Sequence, residues 1–156
     1  MSESPHLFKA SSAPKSALLL PIAYLLHLAE EWFGGFSQWT LEVMGQGIDT
    51  ERFILVNSLF FVFCVVGSLI AVRIPRLSWL AVIFASLFGL NGVLHMLATL
   101  GFGQYAPGVI TGLVIYLPLS AYVLIEMKKR LSVPVFNMSI VAGIVLHAAI
   151  FWLARI

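Results

Sequence analysis

His27-Leu-Ala-Glu30-Glu31 places an imidazole and two adjacent carboxylates inside an apolar stretch running from about Ser16 to Phe36. A stretch of that length can cross a bilayer, where a charged side chain at the centre costs at least about 2.5–3.5 kcal/mol. A proton, a partner, a metal ion or a water-filled cavity must hold these groups there. His27 and Glu31 are four residues apart and His27 and Glu30 three, so on a helix both carboxylates can flank one imidazole. Further polar residues interrupt the later apolar segments. They are Asn57, then Asn91 and His95 (again four apart), then Tyr105-Ala-Pro-Gly108 leading to Thr111, and finally His147.

Histidines combined with carboxylates suit zinc, iron or manganese. A catalytic zinc typically has three protein ligands and one open position. The expected ligands are His27, His95 and one glutamate, taken as Glu31, with His147 as a further ligand. The other glutamate is then free to act as general base on bound water, whose pKa zinc lowers to about 7. Tyr105 and Thr111 would donate hydrogen bonds to an oxyanion or a substrate headgroup. The catalytic set is therefore Glu30, Glu31, Tyr105 and Thr111. Asn91 would orient His95 or another ligand from behind, and Asn57 is counted with it. The implied cofactor is a divalent metal, zinc ahead of iron or manganese. A carboxylate di-iron centre is disfavoured because such sites draw four carboxylates and two histidines from paired motifs, and there is no second Glu-x-x-His here.

These residues need elements to carry them. The chain of 156 residues is 60% hydrophobic and only 10% charged, with a mean hydropathy of +0.99. A soluble domain carries about 25% charged residues, so a membrane protein is expected. Residues 1–15 are polar and read as a disordered tail, followed by a single domain over 16–156. Five apolar segments, at about 16–36, 53–72, 78–100, 108–126 and 135–156, are each close to the ~20 residues of a spanning helix. They lack the period-2 alternation of barrel strands. The expected fold is an all-α, five-helix transmembrane bundle. The first segment is not read as a cleaved signal peptide, because its apolar character continues past His27 and no small-residue cleavage site follows. Cys64 stands alone, so no intrachain disulfide or multi-thiolate metal site can form.

Lys9, Lys15, Arg73, Arg76, Lys128, Lys129 and Arg130 fall in connections that would share one side, leaving Arg52 and Arg155 for the other. The positive-inside rule then predicts a cytoplasmic N-terminus and an external C-terminus. In that arrangement every unusual polar residue falls about 5–15 Å below the outer helix ends, in one layer. The scattered cations form no basic stripe, so a nucleic-acid partner is not expected.

The three motifs His27-Leu-Ala-Glu30-Glu31, Asn91-Gly-Val-Leu-His95 and Tyr105-Ala-Pro-Gly108-Val-Ile-Thr111 resemble, in order, the H-x-x-E-E, N-x-x-x-H and Y-x-P-G-x-x-T motifs of the HXXEE family of small integral membrane proteins. The resemblance runs from the first apolar segment into the fourth. It implies a membrane enzyme whose functional set is His27, Glu30, Glu31, Asn91, His95, Tyr105 and Thr111. It attaches no reaction, and it does not add His147, which rests on depth alone.

The expected function is a metal-dependent membrane hydrolase acting on a lipidic or apolar substrate from a polar cavity in the outer leaflet. Membrane lipid would be its immediate partner. The alternatives are a proton-coupled carrier using the His/Glu cluster, a metal-free acid/base enzyme, and a heme-binding subunit. Short loops and the lack of eukaryotic targeting signals suggest a prokaryotic inner membrane, with the site toward the outer face.

Overall fold

The computed structural model describes residues 11–154. Among these residues all regular structure is helical. A 3-10 segment, Lys15–Leu19, leads into α1 (Leu20–Phe33), followed by α2 (Phe36–Met44) and α3 (Thr50–Arg73). A 3-10 turn at Pro75–Leu77 precedes α4 (Leu80–Phe102). The remaining helices are α5 (Val109–Lys128) and α6 (Val133–Leu153).

Four helical stretches are long and apolar enough to cross a membrane: Thr50–Arg73, Pro75–Phe102, Val109–Lys128 and Val133–Leu153. They make the chain an integral membrane protein, but with four candidate spans instead of the expected five. The first apolar segment falls short for local reasons. Pro21 cannot donate to a helical hydrogen bond, so it sits in the first turn of α1, where its missing N–H costs nothing. The residues before it form the separate 3-10 segment. At the far end Gly35 adopts a left-handed φ of 72° and stops the helix. The 14 residues of α1 rise about 21 Å, so crossing a hydrocarbon core of roughly 30 Å would also need the 3-10 segment before them.

Residues 1–10 of the expected tail lie outside the described residues, as does Arg155. Residues 11–14 carry no regular structure and are held against the bundle. Ala13 is buried and its N–H donates to the Ala71 carbonyl, while the Arg130 guanidinium donates to the Ser12 carbonyl. Lys15, Arg73, Arg76, Lys128 and Arg130 therefore cluster at one end of the bundle. At the other end Ile48, Phe53 and Ala154 form a small apolar cluster.

α4 is the central helix. Residues 81–88 are buried without a break, and it packs against α3, α5 and α6. Its contact with α5 is made by two glycines. A Cβ on Gly92 would stand 2.8 Å from the Gly112 carbonyl oxygen, so the backbones meet directly. Leu59, Val114 and Met138 point outward and are 64%, 69% and 72% exposed, as expected for a surface facing hydrocarbon.

Candidate metal centre

One face of α1 presents Leu20, Tyr24, His27 and Glu31 to the interior, a 4-3-4 spacing that repeats every helical turn. His95, in the last two turns of α4, meets this face. Glu31 Oε1 lies 3.4 Å from His27 Nε2 and 3.2 Å from His95 Nε2. The three residues are only 1%, 6% and 6% exposed, and their ligand atoms all fall within 4.8 Å of one another. Two donors about 2.0–2.1 Å from a shared tetrahedral ion stand about 3.3 Å apart, so the two Glu31 separations suit such an ion. His27 Nε2 is buried with no hydrogen bond, although Glu31 is close.

The other nitrogen of His27 explains this. Glu30 projects from the same helix toward the start of α5. Its carboxylate accepts from the Tyr105 hydroxyl at 2.7 Å, from Ile110 N–H at 2.9 Å, from Thr111 N–H at 2.7 Å, and from the Thr111 hydroxyl. The α5 N-terminus thus receives a carboxylate from another helix, which satisfies free N–H groups and complements the helix dipole. Thr111 Oγ1 also lies 2.9 Å from His27 Nδ1. A hydroxyl has one hydrogen, and a carboxylate only accepts. With that hydrogen given to Glu30, Thr111 must accept from His27 Nδ1–H. In the neutral ring that tautomer has its lone pair on Nε2, beside Glu31. Two acceptors facing each other in a dry site repel unless a cation or a proton lies between them.

Gly108 permits this meeting. Its φ of 104° is left-handed, and a Cβ there would sit 2.7 Å from Cε1 of both His27 and His95. Tyr105, in the connecting turn, is half exposed. Burial, then the bond to Glu30, pushes its phenol up to about 12, so it stays a hydrogen-bond donor.

The other expected site residues meet partners of their own. Glu30 accepts from four donors, among them the Tyr105 and Thr111 hydroxyls. Asn91 Nδ2 lies 3.5 Å from Nε2 of His147, the further expected ligand. His147 lines the same cavity but is not among the three converging donors. Asn57 Oδ1 accepts from the Tyr24 hydroxyl at 2.5 Å, and its Nδ2 donates to the Phe53 carbonyl.

The cavity has a volume of about 710 Å³ and is walled by α1 through α6. Phe36, Trp39 and Met44 of α2 line it, so the connection between α1 and α3 covers the site. Tyr116 is the residue that sequence patterning misses. Its ring stacks on His27 at 4.4 Å and on Phe88 at 4.6 Å, and Phe88 stacks on Tyr24 at 5.6 Å. It ends a π-helical turn, Gly112–Tyr116. Pro118 explains the turn, because it cannot donate to the Val114 carbonyl and its ring crowds that oxygen. Such turns recur at functional sites.

No curated protein sequence and no solved structure matches the chain. A family profile described as a protein of unknown function with HXXEE motif matches residues 18–123. That stretch supplies His27, Glu30, Glu31, His95, Tyr105 and Thr111, and the chain belongs to the HXXEE family.

Proposed function

We propose that His27, Glu31 and His95 hold a divalent cation, zinc in preference to iron or manganese, in an integral membrane hydrolase that acts on an apolar substrate. The observation that carries this reading is the convergence of His27, Glu31 and His95 ligand atoms within 4.8 Å of one another, with His27 Nδ1 held by Thr111. Ligating histidines commonly donate their other N–H to an oxygen that fixes the tautomer, and here Thr111 is that oxygen. Three protein donors leave a position open, as catalytic zinc sites do. Bound there, the ion supplies Lewis acidity toward a substrate oxygen and acidifies water.

The chain's own residues would do the rest. Glu30 fixes the start of α5 and, through Thr111, the plane of His27. α2 excludes water from one side of the cavity through Phe36 and Trp39. With Glu30 engaged, His147 is the remaining histidine on the cavity wall and takes the role of proton acceptor. The apolar walls favour a substrate that enters from lipid. By the positive-inside rule, the cation-rich end faces the cytoplasm and the site opens toward the other side.

The test is metal analysis of protein purified in mild detergent, without chelator or polyhistidine tag. Close to one ion per chain is expected, lost in His27→Ala, Glu31→Gln and His95→Ala. A protein that holds no ion, and takes none up when offered zinc or iron, would rule out the metal centre and leave a metal-free acid/base site or a proton-coupled carrier.

A further inference from the structure

The cavity beside the metal centre has its floor halfway along the spanning helices, and two glycines set that level. Gly143 is the middle residue of α6, and a Cβ there would stand 2.6 Å from the Ile83 carbonyl oxygen of α4. Gly67 of α3 meets α4 at the same level, where a Cβ would lie 2.5 Å from the Phe84 ring. Both helices are thus drawn onto α4 near residues 83 and 84. Toward the site end they part. Val56 and Phe60 of α3 line the cavity, as do Ile144, Ala148 and Phe151 of α6. Each helix packs on α4, and the two form no comparable contact with each other. The exposure of α4 changes accordingly. Its residues 81–88 are buried, whereas Leu94 and Leu97, on the cavity wall, are 42% and 53% exposed.

Other sides of the cavity are shut. Between α1 and α3 the Tyr24 hydroxyl donates to Asn57 Oδ1, and the Tyr24 ring meets Phe60 edge-on at 5.1 Å. α5 lines the cavity through the buried Tyr116. The gap between α3 and α6 is left, and both are membrane spans, so it faces hydrocarbon. An apolar space of about 710 Å³ left empty there would cost its walls their dispersion contacts, and water is a poor filler for it. From Ile144 to Ala154, α6 rises about 15 Å along the cavity, half of a hydrocarbon core of roughly 30 Å. The cleft is therefore one leaflet deep.

We propose that this cleft is a lateral portal that takes one acyl chain of a bilayer lipid from the leaflet at the site end. The chain enters between α3 and α6, and its methyl end rests on Leu87, Leu90 and Ile144. His95 lies about 12 Å along α4 from Leu87, so the carbonyl end of the chain is carried to the level of the His/Glu cluster. The rest of the lipid stays in the bilayer, and the cleft need not enclose it. This rests on the reading of an apolar substrate at this cavity and names its source, its route and the part of it that is held. Holding the chain does not require the ion.

The experiment uses the full chain, stripped of metal, in phosphatidylcholine nanodiscs. They contain a trace of phosphatidylcholine with a diazirine at the methyl end of one acyl chain. After illumination, adducts are mapped by mass spectrometry. Adducts at Leu87 and Leu90 on the floor are expected, alongside those at the outward-facing Leu59 and Val114. Ala148→Trp from α6 and Val56→Trp from α3 each fill the gap, and each should lose the floor adducts while keeping the outward ones. Val145→Trp, exposed and off the cavity, should keep both. A parent protein without floor adducts would overturn the portal whether or not the variants fold. Floor adducts that persist in both folded blocking variants would overturn it as well. Floor adducts in a chain that never takes up zinc would support the portal and overturn the metal reading alone. Zinc uptake without floor adducts would do the reverse.

Discussion

Thr111 decides the state of His27 with a single hydroxyl. Thr111→Val keeps the shape but removes both the acceptor for Nδ1–H and the donor to Glu30. Loss of such a support typically weakens metal binding about 10–100-fold. We expect zinc affinity to fall by that much in Thr111→Val and to stay near the parent value in Thr111→Ser. Nitrogen NMR of labelled histidine should show the Nδ1–H tautomer of His27 lost only in the valine variant. Equal affinities in the two variants would remove Thr111 from the site. His27, Glu31 and His95 were legible in the sequence because ionisable groups stand out against apolar helices. The role of Glu30 was not, because two of its four partners are backbone N–H groups at the start of α5, which no side-chain pattern announces. Tyr116 was hidden for the opposite reason: an aromatic in an apolar helix reads as ordinary core. Asn91 and His95 share a helix face by spacing, yet the neighbouring α6 decides which histidine the amide meets.

At the scale of elements, the α4–α5 contact holds Thr111 and Tyr116 against the α1 face. Gly92→Ala would drive a methyl group into the Gly112 backbone, which cannot swing aside as a side chain can. Overpacking of this kind typically costs about 1–3 kcal/mol. A lower thermal midpoint in detergent and a weakened metal site should appear together. Gly101→Ala, in the last turn of the same helix with nothing within 4 Å of the new methyl, should be neutral or slightly stabilising. Similar midpoints for the two variants would show that the close approach does not hold the bundle. Three of the spans were plain in the sequence as uninterrupted apolar runs, and the fourth, α5, was found despite its break at Pro118. The first segment was overcounted because hydropathy registers neither the division before Pro21 nor the stop at Gly35. The α2 helix was seen only as a polar-rich connection, since nine residues between glycines carry too little periodicity to distinguish a covering helix from a loop.

For the whole molecule, the described chain starts near Ala71 at one end of the bundle and reaches Ala154 at the other. The cationic end gathers Lys15, Arg73, Arg76, Lys128, Lys129 and Arg130, whereas among the described residues Arg52 is the basic residue at the site end. Such asymmetry sets orientation through the retention of Lys and Arg on the cytoplasmic side. Reporter cysteines can read this in a Cys64→Ser background, which removes the buried native thiol. Gln104→Cys lies in the exposed turn beside Tyr105, and Lys129→Cys lies at the cationic end. In intact cells a membrane-impermeant maleimide should label Gln104→Cys, and Lys129→Cys should label only after lysis. The reverse pattern would place the metal centre toward the cytoplasm and its substrate in the inner leaflet. Labelling of both in intact cells would contradict a bundle whose ends lie on opposite sides of one bilayer.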